Sequence, residues 1–147
     1  MKCVVQRVTS ASVAVVGREV SSIKEGILLL VGFTHADDDK ALGWMAHKVA
    51  GLRIFEDSEG KMNRSLVEIG GEVLVVSQFT LYADVIKGRR PAFTTAAPAE
   101  VAMQLFNQFC SLLEKEEIPV KRGIFREKMV VSLANDGPVT IIIETPA

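Results

Sequence analysis

Three polar residues, Ser77, Gln78 and Thr80, interrupt an otherwise apolar run in the segment "EVLVVSQFTLYA" at 72–83. Residues near the end of a strand commonly form sites, so these polar side chains could belong to one. By itself the pattern is more typical of a strand that leaves the core, where Ser and Thr satisfy nearby backbone groups. A functional interpretation therefore needs a second signal.

That second signal is "NDGPVT" at 135–140, which lies between two apolar, strand-like segments. Asn-Asp-Gly-Pro is typical of a turn, and an isolated motif of this kind would be interpreted as a tight surface turn. A hairpin, however, needs only Asn-Gly or Asp-Gly to reverse the chain. The turn interpretation therefore leaves the Gly-Pro pair unexplained.

The usual catalytic sets are missing from the chain. Neither His35 nor His47 lies in a pattern that pairs it with a serine or cysteine nucleophile. The glycine pair at 70–71 leads into a strand, without the lysine of a phosphate-binding loop. Cys3 and Cys110 are far apart and lack metal-ligand spacing. We therefore expect no metal site.

Composition indicates one soluble domain spanning residues 1–147. Hydrophobic residues make up 48% and charged residues 24%, and the apolar runs are too short to span a bilayer. No signal peptide is visible, so a cytoplasmic location is expected. The net charge of −1 argues against coating long nucleic acids, but is compatible with binding one RNA end. Basic residues cluster at Lys87, Arg89 and Arg90, and again at Lys121, Arg122, Arg126 and Lys128.

Hydrophobic periodicity predicts strands, then a helix, strands, a second helix and further strands. Asp37–Asp39 should open the first helix, since carboxylates cap free amides, and Leu42, Met45, Val49 and Leu52 share one of its faces. The second helix should begin after Pro98 and end before Pro119. Strands are predicted at 3–15, 27–33, 72–83, 120–134 and 138–144, with a short strand and an irregular loop near 52–66. This order indicates a layered α/β fold.

Taken together, the motifs resemble those of the D-aminoacyl-tRNA deacylase family, also called the D-tyrosyl-tRNA deacylase family. The resemblance covers nearly the whole chain, and the ordered pair of "SQFTL" and N-x-GP-x-T is its most specific part. The matching segments are "QRVTSASV" near the start, "LRIFEDSEGKMN" (52–63), "VVSQFTLYAD" (75–84), "KGRRPAF" (87–93) and "NDGPVT" (135–140). The chain departs from the family at "FREKM" (125–129), where smaller and less charged residues are expected than Arg126, Glu127 and Lys128.

The resemblance implies a homodimer of single compact α/β domains, with mixed, largely antiparallel sheets and two main helices in α/β/β layers. It implies hydrolysis of the ester between a D-amino acid and the 3′-terminal adenosine of tRNA, without metal or cofactor. The partner is then the acceptor 3′ end of D-aminoacyl-tRNA.

In the family the Gly-Pro bond, here Gly137-Pro138, is cis and reaches into the active site of the partner subunit. A cis bond before proline costs only about 0.5–1 kcal/mol, and it turns both flanking carbonyls to one side. Gly137 allows close approach. The resemblance thus implies rejection of L-amino acids by collision with fixed carbonyls, because apolar attraction alone discriminates by only about 1–3 kcal/mol. Glycine has no side chain to collide, so glycyl-tRNA should also be cleaved.

The resemblance assigns catalysis to Ser77, Gln78, Phe79 and Thr80. Thr80 could be a covalent nucleophile, but no base is suggested nearby. Alternatively, backbone amides near Phe79 and Thr80 stabilise the oxyanion while the 2′-hydroxyl of the RNA orients or activates water, and this second role is favoured. Arg7, Phe125 and Asn135 are further candidates for substrate binding. A non-catalytic dimeric protein that binds RNA ends remains the alternative.

Overall fold

The computed structural model describes all residues from Met1 to Ala147. The strands are β1 (Lys2–Val15), β2 (Arg18–Ile23), β3 (Gly26–Gly32), β4 (Phe55–Glu56), β5 (Met62–Arg64), β6 (Glu72–Ser77), β7 (Val120–Arg122) and β8 (Met129–Glu144). The helices are α1 (Asp39–Gly51), α2 (Leu66–Ile69) and α3 (Ala99–Lys115), with a 3₁₀ helix at Phe79–Tyr82.

One six-stranded sheet organises the molecule, in the order β2-β1-β3-β6-β7 with β8 paired to β1. The long strand β1 is antiparallel to β2, β3 and β8, whereas β3–β6 and β6–β7 are parallel. The first half of β1 pairs with β3 and its second half with β2, while β8 follows nearly its whole length. Strand β8 therefore forms an open edge, and the mixed, largely antiparallel sheet is as expected.

Two hydrophobic clusters lie on opposite faces of this sheet. The larger is covered by α1 and α3, which contribute Leu42, Met45, Val49, Phe106, Phe109 and Leu113. The smaller is enclosed where the β2 region folds over β3 and β6, and contains Val8, Ala11, Val13, Ile23, Leu28, Leu74 and Val76. This arrangement confirms the α/β/β layers. Asp38 caps α1 by accepting a hydrogen bond from the Ala41 amide at 2.9 Å, and α3 begins directly after Pro98.

The prediction of one long strand over 72–83 is wrong. Strand β6 ends at Ser77, and the chain bends through Gln78 into the 3₁₀ helix. The Gln78 amide donates to the Val31 carbonyl at 2.7 Å, which holds the bend against β3. Gly32 makes room for it, since a Cβ there would lie 3.0 Å from the Gln78 carbonyl oxygen and 3.2 Å from Leu81 Cβ.

The prediction of two strands at 120–134 and 138–144 is also wrong. Strand β7 covers only Val120–Arg122, and β8 runs without a break through the Asn-Asp-Gly-Pro segment. Gln6 pairs with Thr140 and Val8 with Asn135, so residues 136–139 bulge opposite the single residue Arg7. The segment is therefore an insertion within one strand, because pairing with β1 continues on both sides of it.

The predicted irregular loop near 52–66 is a hairpin of β4 and β5 followed by the short helix α2. Asp57 closes the hairpin, because its Oδ1 accepts hydrogen bonds from the amides of Glu59 and Lys61. These two hydrogen bonds, chiefly the one from Lys61, lower the pKa of the Asp57 carboxyl.

Candidate functional site

A cavity of about 700 Å³ opens at the carboxyl ends of the parallel strands β3 and β6. Both strands end at the same edge of the sheet, so the segments that follow them converge there. Twelve of its 17 lining residues are hydrophobic, and the polar groups include Ser77 and Gln78. The cavity is therefore a mostly apolar pocket with a polar edge, the usual form of a small-molecule site.

The bend after β6 forms this polar edge. Ser77, Gln78 and Phe79 line the cavity, whereas Thr80 is exposed just outside it. The Gln78 side-chain amide donates a hydrogen bond to the Thr80 hydroxyl. The amides of Phe79 and Thr80 open the 3₁₀ helix, and the first amides of a helix have no partner within it. This edge can therefore offer hydrogen-bond donors to a bound carbonyl oxygen.

Aromatic rings form the apolar wall. Phe79 is 53% exposed and packs edge-on against Phe93 with the ring centroids 4.9 Å apart. Phe125 also lines the cavity, with its ring 6.0 Å from that of Phe106 in α3. Such faces can hold a planar base by stacking.

A second group of sequence-predicted residues lies away from this cavity, since Arg7, Asn135, Gly137 and Pro138 do not line it. Arg7 is 5% exposed and donates to the carbonyls of Asp136 at 3.2 Å and Ile54 at 2.6 Å. Asn135 Nδ2 donates to the carbonyls of Arg7 and Val139 at 2.9 and 3.0 Å. These bonds fix the base of the bulge.

The tip of the bulge is exposed to solvent. Gly137 and Pro138 are exposed, the peptide bond between them is cis, and the φ of Gly137 is +115°. A Cβ on Gly137 would lie 2.7 Å from Arg7 Nη2 and 3.0 Å from Val139 Cγ2. Any other residue at this position would therefore meet both an unfavourable φ and a buried side chain.

Titratable groups are scarce around the cavity. Arg126 and Glu127 are its only charged lining residues, and no histidine reaches it. His35 Nε2 lies 3.4 Å from the Thr94 carbonyl, and His47 Nδ1 lies 3.4 Å from the Glu116 carboxylate. Both cysteines are buried, and burial raises the pKa of Cys110 to about 12 and that of Cys3 still higher. The cavity is therefore lined by neither a histidine nor a cysteine, and its only carboxylate is that of Glu127.

The sequence did not reveal most of the apolar lining. The apolar lining also includes Phe93, Met129 and the residues around the start of α3, Ala96 to Ala99. Glu127 lines the cavity as well. Pro98 predicted the start of the helix, but no residue type there distinguishes a cavity wall from a core position. The only sequence signal at Glu127 is the charged segment at 125–129, where the chain departs from the family pattern.

No group of three or more His, Cys, Asp or Glu side chains could hold a metal ion. None of the helices is long and apolar enough to cross a membrane.

Comparisons with known proteins identify similar sequences and structures over nearly the whole chain. Residues 4–144 match the family model described as D-Tyr-tRNA(Tyr) deacylase. The chain is 58% identical over 147 residues to the D-aminoacyl-tRNA deacylase of Chlorobaculum parvum, covering 99% of both chains. A solved structure of a c-Myc DNA unwinding element binding protein matches with a TM-score of 0.94 and 46% identity over 100% of both chains.

A structure described as "a probable eukaryotic D-amino acid tRNA deacylase" matches with a TM-score of 0.82 over 97% of both chains. At 20% identity this second structure shows the fold alone.

Proposed function

The chain belongs to the D-Tyr-tRNA(Tyr) deacylase family, and on that premise we propose that it hydrolyses the ester between a D-amino acid and the 3′-terminal adenosine of tRNA. The observation that carries the proposal is the cavity whose polar edge is Ser77–Phe79 and whose wall is aromatic. An aminoacylated adenosine has the same division, with a flat base on one side and a polar ester on the other. A tRNA substrate supports a cytoplasmic location, which is part of this proposal.

The chemistry follows from what the cavity offers. The terminal base packs against the aromatic wall, and the amides of Phe79 and Thr80 stabilise the negative charge that develops on the ester carbonyl. Gln78 and Ser77 orient the ester. With no histidine at the cavity, the vicinal 2′-hydroxyl of the ribose orients or activates the attacking water. Glu127 is the one carboxylate near enough to compete for that role.

Chirality is proposed to come from the bulge of a second copy. Gly137 and Pro138 are exposed and lie outside the cavity of their own chain, and Arg7 and Asn135 hold the bulge in place. Inserted into the partner's cavity, the backbone carbonyls of the bulge would strike a side chain on the L face of the α-carbon. A rigid backbone rejects the wrong isomer by repulsion and needs no attraction for a D side chain.

A homodimer is proposed on the open edge of the sheet. Strand β8 pairs only with β1, and its apolar residues Val130, Leu133 and Ile142 are exposed. A long, apolar, unpaired edge strand favours association with another chain. Pairing two copies through this region would bury these side chains and would carry each bulge toward the other subunit.

The experiment compares turnover of D-tyrosyl- and L-tyrosyl-tRNA with enzyme far below substrate, with and without a chelator. We expect many D-tyrosine molecules released per subunit, little L-tyrosine, and no effect of chelation. Stoichiometric binding without turnover would favour the alternative, a non-catalytic protein that binds RNA ends.

Exclusion by the bulge has a further consequence for achiral substrates. Glycyl-tRNA should be cleaved at a rate near that of D-alanyl-tRNA, whereas L-alanyl-tRNA should remain largely intact. Deacylation rates of the three substrates under one set of conditions test this. If glycyl-tRNA is as resistant as L-alanyl-tRNA, selectivity must arise from recognition of the D side chain.

A further inference from the structure

We propose that the exposed cations beside the cavity bind phosphates of the single-stranded 3′ end of tRNA, next to the terminal adenosine. They are Lys87, Arg89 and Arg90 in the loop 85–91, here called the basic loop, and Arg126 on the cavity wall. The inference rests on the proposed function, since it concerns how the same cavity holds its substrate beyond the reacting adenosine.

The basic loop is fixed to the cavity at both ends. It follows the 3₁₀ helix and precedes Phe93, which packs on Phe79. Asp84 and Ala92 close its base through two backbone hydrogen bonds of 2.8 and 3.0 Å. A loop of this length extends no more than about 10–13 Å from its base, at ~3.3 Å per residue. Its cations therefore remain near the cavity mouth.

The cations of the basic loop are free to bind an external anion. Lys87, Arg89 and Arg90 are exposed, and no ion pair of the structure includes them. The nearby carboxylate of Asp84 instead accepts a hydrogen bond from the Ile86 amide at 2.9 Å. Arg122 provides a contrast, because it is paired with Glu114 at 3.2 Å.

Arg126 adds a cation at the cavity itself. It lines the cavity, forms no ion pair, and has a φ of +68°. Glycine adopts this left-handed conformation more easily than arginine, so the backbone alone gives no reason for an arginine. Its guanidinium suits an anion at the mouth, since arginine binds phosphate through two parallel hydrogen bonds.

The geometry of the substrate places phosphates there. When the terminal adenosine occupies the cavity, the phosphate on its 5′ side and the next one along the strand lie at the mouth. The net charge of the chain is only −1, so the positive charge needed for RNA must be local. Each phosphate contact on a single strand contributes a salt slope of about −0.7. Three or four contacts then predict a slope of about −2 to −3 in the logarithm of affinity against the logarithm of salt.

The test uses a triple variant, Lys87→Gln with Arg89→Gln and Arg90→Gln, and two substrates. One is D-tyrosyl-tRNA, and the other is 3′-O-D-tyrosyl-adenosine, which has no phosphate. The matched control is a second triple variant, Lys24→Gln with Lys48→Gln and Lys115→Gln, which removes the same charge. These exposed lysines lie far from the cavity, just before β3 and in the last turns of α1 and α3. Affinity for uncharged tRNA is measured by fluorescence anisotropy between low and high salt.

We expect the triple variant to lose about 10- to 100-fold in kcat/KM on D-tyrosyl-tRNA relative to the adenosine ester. The slope of the logarithm of its affinity for uncharged tRNA against the logarithm of salt should become less negative by about 2. The control triple should keep both the ratio and the slope. Arg126→Gly should flatten the slope by about 0.7 without lowering Tm, because glycine accepts this φ. An unchanged slope, or equal losses on both substrates, would overturn the proposal.

Failure of the proposed function gives a different result. If the wild-type protein hydrolyses neither ester, the deacylase assignment falls. The fluorescence anisotropy measurement still tests phosphate binding by the basic loop. A triple variant that binds uncharged tRNA as tightly as wild type would contradict it.

Discussion

Thr80 illustrates how little conventional catalytic machinery the site contains. Its hydroxyl already accepts a hydrogen bond from Gln78, and its side chain is exposed outside the cavity. No histidine is placed to remove its proton. A threonine in this setting can orient the Gln78 amide but is poorly equipped as a nucleophile.

Thr80→Ala is therefore expected to reduce kcat on D-tyrosyl-tRNA by less than about tenfold, whereas loss of an acid–base group usually removes about 10²–10⁴. A substrate lacking the 2′-hydroxyl of its terminal ribose should be nearly inert with the wild-type protein. Single-turnover rates measure both effects. Glu127→Gln, which removes the only carboxylate at the cavity, is compared with Thr80→Ala in the same assay. An acyl-enzyme trapped on Thr80 would contradict this assignment.

Gly137 offers a second test at the level of a residue. Gly137→Ala brings a Cβ within 2.7 Å of Arg7 Nη2 at a φ of +115°. It should destabilise the fold by about 1–3 kcal/mol and displace the bulge. Cleavage of L-alanyl-tRNA should then rise relative to D-alanyl-tRNA, as measured by the ratio of the two deacylation rates.

The matched control is Gly43→Ala, within α1, where a Cβ meets nothing within 4 Å. This change should stabilise the protein by about 0.5–1 kcal/mol and leave the ratio unchanged. If Gly137→Ala keeps the wild-type ratio despite a lower Tm, the bulge has no part in discrimination.

Among the elements, the two long helices could be predicted, whereas the short helix α2 and the path of the chain at the site could not. Asp38 and the spacing of Leu42, Met45 and Val49 predicted α1, because capping and periodicity are local properties. The end of β6 depends on a contact that is distant in sequence, since Gly32 on β3 lets Gln78 fold back. Likewise, pairing with β1 keeps the turn-like Asn-Asp-Gly-Pro segment inside β8. Both segments whose path was predicted wrongly belong to the candidate site.

Gly32→Ala tests the importance of this bend. The added methyl group would meet the Gln78 carbonyl at 3.0 Å and Leu81 Cβ at 3.2 Å, so the 3₁₀ helix must shift. We expect a loss of about 1–3 kcal/mol in the free energy of unfolding, the usual effect of overpacking. The kcat/KM on D-tyrosyl-tRNA should fall by at least about tenfold, since small displacements of positioning groups lower rates strongly. Wild-type kinetics in a folded Gly32→Ala protein would show that the position of the bend is unimportant.

In the whole molecule, the two groups of site residues are held by different parts of the sheet. The cavity lies at the ends of β3 and β6, and the bulge lies on the open-edge strand β8. In the proposed dimer a second copy of the chain would bring the two together, and the exposed apolar side chains of β8 would form its surface.

Ile142→Lys should weaken this association, because Ile142 is 76% exposed on β8 and a lysine would introduce a charge into the interface. Light scattering should detect monomers, and specific activity should depend on protein concentration. Val67→Lys on α2 is the control, since Val67 is an exposed apolar residue away from β8. A fully active monomer would refute a site shared between subunits.

The separation of bulge and cavity has a consequence for mixtures of mutants. A Gly137→Ala subunit pairs an intact cavity with a faulty bulge, whereas an Ala96→Trp subunit pairs an obstructed cavity with an intact bulge. If the subunits exchange bulges as proposed, the single working cavity of a hybrid of the two would receive the intact bulge. An excess of the Ala96→Trp subunit, which is inactive, should therefore restore discrimination between D- and L-alanyl-tRNA to the cavity of the Gly137→Ala subunit. The two variants would complement each other in D/L selectivity. A subunit that cannot turn over substrate would still supply the bulge that makes its partner selective.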